Sequence, residues 1–213
     1  MLRDLPVGAE RVLDYGCGSG AYLRLIAGGR PGLKLFGTDR FPPPPLPPGV
    51  EWLALEQVEA AGPFDWITLA HVVEHVAEPL ALLERLARVL APDGGGIWIA
   101  TPNADSFIMD AAGSWARDID FPRHREVFTA RGLTRILARS GLDVTPVAPP
   151  IINAALNTWS TLRNVLADRS AGVVSRAWAF CKTSLALAGH ALQPTPRRMA
   201  TSPELIMICR RRT

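Results

Sequence analysis

The sequence predicts an α/β fold with a mostly parallel sheet, on three observations. Through residue 147, short apolar runs alternate with stretches of helical pattern, which is how a parallel sheet covered by helices reads. The first apolar run ends in a glycine-rich turn, Gly16-Cys17-Gly18-Ser19-Gly20, and a helical pattern follows at once. The chain has 213 residues, 48% hydrophobic and 20% charged, enough for one folded domain with a full core and too few for two.

Taken in order, residues 11–15 read as a buried strand, and 21–27 as a helix closed by Gly28 and Gly29. A second strand, 33–38, stops at Asp39. Residues 41–49 then contain six prolines, where a crossover helix would ordinarily lie. Proline fixes φ and lacks an N–H, so a stiff extended connection is expected there. Residues 50–55 and 64–70 are the third and fourth strands. Pro79 opens a helix to about Leu90, with Leu82, Leu83, Leu86, Val89 and Leu90 on one face. A glycine turn at 94–96 leads to the fifth strand, 97–101. Thr129 caps a helix that runs through Ser140 and ends at Gly141. Strands at 142–147 and 204–209 follow, separated by about fifty residues of helical character. Within that stretch Val174, Trp178, Cys181, Leu185, Ala188 and Leu192 advance by steps of four and three. The ordinary meaning of such a stripe is a core-facing side; a substrate lid or a membrane-surface helix is the alternative.

Composition narrows the classes. Cys17, Cys181 and Cys209 are odd in number and form no CxxC pair, which argues against a disulfide framework or a cysteine-built zinc site and for a reducing cytoplasm. No basic-then-apolar leader precedes Arg11. No apolar run reaches the roughly 18 residues of a membrane span; the longest candidate, 173–192, is broken by Arg176, Lys182 and His190. The net charge of +3 conceals −6 over residues 1–110 and +9 over 111–213. Solvated helix faces are one reading of that basic half; an anionic partner, such as a phosphorylated substrate or a lipid surface, is the other. Nucleic acid is not expected, because the basic residues do not interleave with aromatics and no binding motif occurs.

The strongest chemical signal is Val12-Leu-Asp14-Tyr-Gly16-Cys17-Gly18-Ser-Gly20, a strand that delivers the chain to glycines and then to a helix N-terminus. Its spacing departs from the GxGxxG of nicotinamide-binding folds, and an acid leads it. This stretch resembles the cofactor-binding motif of class I S-adenosylmethionine-dependent methyltransferases of Rossmann-like fold, whose glycine turn lies beneath the methionine and ribose of the cofactor. In that family an acid ending the second strand takes the two ribose hydroxyls, and Asp39 stands there, followed by Arg40. Such bonds to a carboxylate are worth about 1.5–3 kcal/mol each. Phe64-Asp-Trp-Ile-Thr-Leu-Ala-His71-Val-Val-Glu74-His75-Val, with Pro79 soon after, is similar to a segment of the ubiquinone-biosynthesis-like small-molecule type. Pro122-Arg123-His124-Arg125-Glu-Val-Phe-Thr129 resembles that type's H-x-x-x-F-T segment.

The resemblance covers most of 11–147 plus the final strand and lapses over 150–200. It implies a single domain over 1–213, comprising a cofactor-binding core at 1–149, a helical insertion at 150–200 that could serve as a substrate lid, and an antiparallel last strand at 201–213. It implies Asp14, Gly16, Cys17, Gly18, Gly20, Asp39, Arg40 and His71 around the cofactor. It also implies an acceptor that is a small molecule or a lipid- or sugar-linked metabolite, at the carboxyl edge of the sheet. An oxygen acceptor would need a base, for which His71 and His124 are the candidates, with Arg123 or Arg125 orienting an anionic acceptor. His71-x-x-Glu74-His75 also fits a zinc-peptidase pattern, but the first histidine directly follows a strand, which sets that reading aside. A divalent-cation site using His71, Glu74 and His75 is a weaker idea. Family members usually carry a helix before the first strand that closes over the cofactor; here ten residues precede Arg11, so either the start is misassigned, or the 150–200 segment covers the site, or the site is open. A catalytically inert domain of the same fold, and a nicotinamide-dependent enzyme, are the competing hypotheses.

Overall fold

The computed structural model describes residues 1–41 and 45–212; residues 42–44, in the proline run, and residue 213 lie outside the described residues. The chain packs into two compact units, Met1–Ala100 with Thr134–Thr145 and Met207–Thr213, and Thr101–Leu133 with Pro146–Ile206. In chain order the elements are β1 Arg11–Tyr15, α1 Ala21–Gly29, β2 Lys34–Thr38, β3 Val50–Trp52, α2 Val58–Ala61, β4 Trp66–Ala70, α3 Pro79–Arg88, β5 Gly96–Pro102, α4 Phe107–Ala112, α5 Ala130–Arg139, β6 Leu142–Val147, α6 Ile151–Ala167, α7 Val173–Ala191, α8 Thr195–Thr201 and β7 Glu204–Arg211.

The seven strands form one sheet in the order β3-β2-β1-β4-β5-β7-β6, with β1 to β5 parallel and β7 the antiparallel last strand. The chain works outward from β1 to β3, then crosses back to β4 on the other side of β1. That reversal makes the carboxyl ends of β1 and β4 a topological switch point, the place where open α/β sheets bind ligands. Leu13, Ile67, Leu69, Ile97 and Ile99 of the strands are fully buried, as are Leu23 and Ile26 of α1 and Leu83 and Leu86 of α3. Pro79 occupies the first turn of α3, and its expected apolar face, Leu82 to Leu90, is buried throughout. At the start of α5 the Thr129 hydroxyl accepts the Gly132 N–H at 3.0 Å, and Gly141 ends the segment at φ +79°.

Three local differences from the sequence expectation have physical causes. β3 stops at Trp52 because the Ala54 N–H is taken by Gln57 Oε1 at 2.8 Å, which starts a tight turn into α2. α4 has no counterpart in the sequence expectation; Ser106, whose hydroxyl accepts the Met109 N–H at 3.2 Å, is its available signal. The third concerns α7, in the second unit. Its apolar stripe, Val174 to Leu192, faces solvent rather than the core. The buried side carries Ala179, Thr183 and His190, and the His190 ring lies 4.5 Å from that of Phe107 on α4. Ala186 and Leu187 of α7 pack on a cluster of Phe107, Ile108, Ala112, Ala116 and Ala154. Among the described residues no helix is long and apolar enough to cross a membrane.

Candidate active site

The first unit builds a ligand cradle from the end of β1 outward. The backbone N–H groups of Gly16 and Cys17 both donate to Thr38 O, at 2.8 and 3.0 Å, which ties the turn to the end of β2. Gly16, Gly18 and Gly20 all adopt left-handed backbone, at φ +73°, +50° and +74°, where a Cβ costs about 1–2 kcal/mol. Their surroundings differ. A Cβ on Gly16 would lie 2.5 Å from Val72 Cγ2, whereas one on Gly18 would meet nothing within 4 Å. Gly16 is therefore demanded by packing, and Gly18 leaves an open cradle over the turn. Gly20 is the N-cap of α1.

Asp14 lies beneath this turn and is 1% exposed. The register of β1 on β4 sets it opposite Thr68, whose hydroxyl donates to Asp14 Oδ1 at 2.5 Å. Its other oxygen, Oδ2, is buried and has no hydrogen-bond partner among the described residues. Burial pushes the Asp14 carboxyl up to about 6; the Thr68 hydrogen bond opposes the shift and the charge of Asp39 adds to it. Asp39 is half-buried, and each of its oxygens is aimed by one backbone donor: Oδ2 by the Gly18 N–H at 2.8 Å, Oδ1 by the Phe41 N–H at 3.1 Å. An ionised carboxylate offers about four lone-pair positions, which leaves capacity for two hydroxyl donors. Cys17 is buried, and its thiol packs toward Gly37 of β2. Burial, then the carboxylates of Asp14 and Asp39, push that thiol up to about 12, so its side chain packs rather than reacts. Arg40 is exposed.

His71 follows β4 at φ +54°, the one non-glycine residue with left-handed backbone among the described residues. Strain of this kind costs on the order of 1–3 kcal/mol and gathers at functional sites. The turn is held by the His71 N–H donating to Ala100 O at 2.8 Å, and by Val72 packing on Gly16. The ring is held by Glu74, whose Oε1 lies 3.2 Å from His71 Nδ1 and whose side chain is fully buried. Val73–His75 is a single tight turn and His75 is exposed, so the two histidines of the H-x-x-E-H pattern do not share a helix face as a zinc peptidase requires.

The first unit thus gathers Asp14, Gly16, Cys17, Gly18, Gly20, Asp39, Arg40 and His71 at the carboxyl ends of β1, β2 and β4. His124, Arg123 and Arg125 belong to the second unit. There His124 Nδ1 lies 2.7 Å from Asp118 O, Arg123 pairs with Asp120 at 2.8 Å, and Arg125 is exposed. Sequence reasoning missed two supporting residues. Thr68 could have been found from its place one strand over from Asp14, and the contact of Glu74 with the His71 ring from their spacing of three residues.

Comparison with known proteins identifies the family. A family described as a methyltransferase domain matches residues 3–147. The ubiquinone biosynthesis O-methyltransferase of Rhizobium etli is 29% identical over 176 residues, 75% of this chain and 71% of that protein. Its counterpart in Cereibacter sphaeroides is 31% identical over 175 residues, 73% of this chain and 69% of that one. Among solved structures, the plantazolicin methyltransferase BamL in complex with SAH superposes with a TM-score of 0.57 at 14% identity, covering 96% of this chain and 78% of that one. The [4+2]-cyclase SpnF gives 0.58 at 16%, covering 100% and 78%; these two likenesses concern the fold alone. Sheet order and family match together define a class I methyltransferase that uses S-adenosylmethionine. The chain belongs to the methyltransferase-domain family.

The residues present fit that cofactor. Asp14 Oδ2 is a buried acceptor in need of a donor, the space over Gly18 admits a ligand against the backbone, and Asp39 is oriented for a diol.

Proposed function

We propose that this enzyme methylates a hydroxyl oxygen of a small molecule, with His71 as the base. The observation that carries this reading is His71 itself, held at a strained position at the end of β4 with its ring fixed by a buried carboxylate. The names of the relatives support an oxygen acceptor. S-adenosylmethionine bound at this site supplies an already activated methyl group on its sulfonium. The chain's own work is then to hold, align and deprotonate. Asp39 takes the ribose hydroxyls, the glycine turn lets the backbone approach, and Asp14 fixes the turn from below. Alignment of an acceptor in line with the methyl group can supply about 7–11 kcal/mol of the barrier. In the tautomer selected when Nδ1–H donates to Glu74, His71 Nε2 carries the basic lone pair. A general base so placed contributes roughly 10²–10⁴-fold.

His124 is the second candidate base, and Arg123 and Arg125 would orient an acceptor that is anionic or carried on a lipid or sugar. The test is methyl-labelled S-adenosylmethionine offered with a panel of phenols and catechols to wild type, His71→Ala and His124→Ala. The expected result is label in an alkali-stable ether, lost at least a hundredfold in His71→Ala while cofactor affinity is kept. Full turnover by His71→Ala with loss in His124→Ala would move the base to His124. Label in an amine or carbon product would overturn the oxygen acceptor.

A further inference from the structure

The second unit turns its most apolar helix faces outward. On α7 the stripe Val174, Trp178, Cys181, Leu185, Ala188 and Leu192 is exposed at every position, with Trp178 64%, Leu185 72% and Leu192 87% exposed. α6 repeats the pattern: Ile152, Leu156, Trp159, Arg163 and Leu166 advance by four and three, and all are exposed. The buried side of α6 mixes Ala154, Leu162 and Val165 with Asn157, Thr158 and Thr161. Their hydrogen bonds lie within the unit: Thr158 donates to Ala154 O at 2.8 Å, and Thr161 accepts the Arg117 N–H at 3.1 Å. A contiguous outward stripe of one tryptophan and three large aliphatic side chains on α6, beside that of α7, is a patch of the kind that marks an interaction surface.

Charge says what it meets. Residues 150–203 hold six arginines and lysines against one acid, Asp168. Arg163 sits within the α6 stripe, Lys182 lies 5.0 Å from the Trp178 ring, and Arg169 and Arg197 are exposed. We propose that the outward faces of α6 and α7 dock on an anionic lipid bilayer, lying in the plane of the headgroups. Exposed tryptophans bordered by arginine and lysine are the composition of an interfacial helix: rings at the headgroup level, aliphatic side chains below, cations on lipid phosphates. No helix among the described residues is built to cross the bilayer, so contact is peripheral. A second copy of the chain fits the face less well, because Arg163 and the rest of that positive charge would meet their own kind.

The experiment is co-sedimentation of the full chain with vesicles of equal phosphatidylglycerol and phosphatidylcholine, and with pure phosphatidylcholine. Burial holds the Cys17 and Cys209 thiols up at about 12 while Cys181 is exposed, so an environment-sensitive maleimide labels Cys181 in the middle of the α7 stripe. The expected result is binding to the anionic vesicles only, weakened by salt, with a blue shift of the Cys181 label. Trp178→Ser with Leu185→Ser should lower partitioning at least tenfold, and Arg163→Gln about fivefold. Since these positions are exposed, thermal midpoints and cofactor affinity should stay as in wild type. Absence of binding to anionic vesicles, or unchanged binding by the double variant, overturns the proposal. So does sedimentation velocity showing a dimer in which the Cys181 label is already shielded without lipid, which would give the face to a second copy.

Discussion

Replacing Asp14 with asparagine tests how the cofactor cradle is charged. The carboxyl is 1% exposed and its titration moves from 3.8 to about 6, a difference worth about 3 kcal/mol. The sign follows from proton binding. Below pH 3.8 both folded and unfolded chains carry the proton; between there and about 6 the unfolded chain has lost it and the folded chain keeps it. Stability therefore falls with rising pH across that window, and above it the folded chain bears the full cost of a buried charge. An asparagine side chain cannot ionise, so the variant lacks this component. The difference in unfolding free energy between Asp14→Asn and wild type should thus move by about 2 kcal/mol in favour of the variant between pH 4 and pH 7. Taking the difference cancels the chain's other carboxylates, and the fixed cost of an amide nitrogen beside the unpartnered oxygen position does not vary with pH. The assay is urea unfolding of both proteins at half-unit pH intervals, without cofactor. A difference flat with pH would refute the argument that burial, rather than the Thr68 hydrogen bond, dominates the Asp14 carboxyl.

Four further outcomes are expected. Thr68→Val removes the donor to Asp14 Oδ1 with little change of shape and should cost about 1.5–3 kcal/mol at pH 7.5, less at pH 4.5, as read by urea midpoints at the two pH values. Gly16→Ala places a methyl 2.5 Å from Val72 Cγ2 and should destabilise the cofactor-free protein by more than about 2 kcal/mol. Gly18→Ala, in open space, should cost only the backbone strain, about 1 kcal/mol, and yet weaken cofactor binding more than stability; calorimetry and thermal unfolding separate the two effects. Glu74→Gln should lower kcat and shift its pH profile while leaving the cofactor Kd within about threefold, since it acts by holding the His71 ring; an unchanged profile would remove Glu74 from a positioning role.

The sheet was legible because each strand is a short apolar run closed by a turn residue, and because glycine at 16, 18 and 20 leaves little alternative to a left-handed turn. Asp14 and Asp39 stand at fixed spacing to that turn, and their place beside a cofactor is what the family resemblance implies. What the sequence did not show depends on a neighbour that is distant along the chain. Thr68 reaches Asp14 only through strand register, and the left-handed backbone of His71 sits in a turn tied to Ala100 of β5. The orientation of α7 was misread for a more general reason. Periodicity reveals that a helix has an apolar side, but which side turns inward is decided by contact: on α7 it is Ala186, Leu187 and His190 that meet α4 and its cluster.

Binding of S-adenosylmethionine to wild type and to Asp39→Ala, measured by titration calorimetry on folded protein, tests the central claim most directly. Two hydroxyl bonds to a carboxylate at about 1.5–3 kcal/mol each make the expected loss a hundredfold or more, with the fold and the unfolding midpoint of the variant close to wild type. Equal affinity in the two proteins, or no binding by folded wild type, would contradict the cofactor site described here.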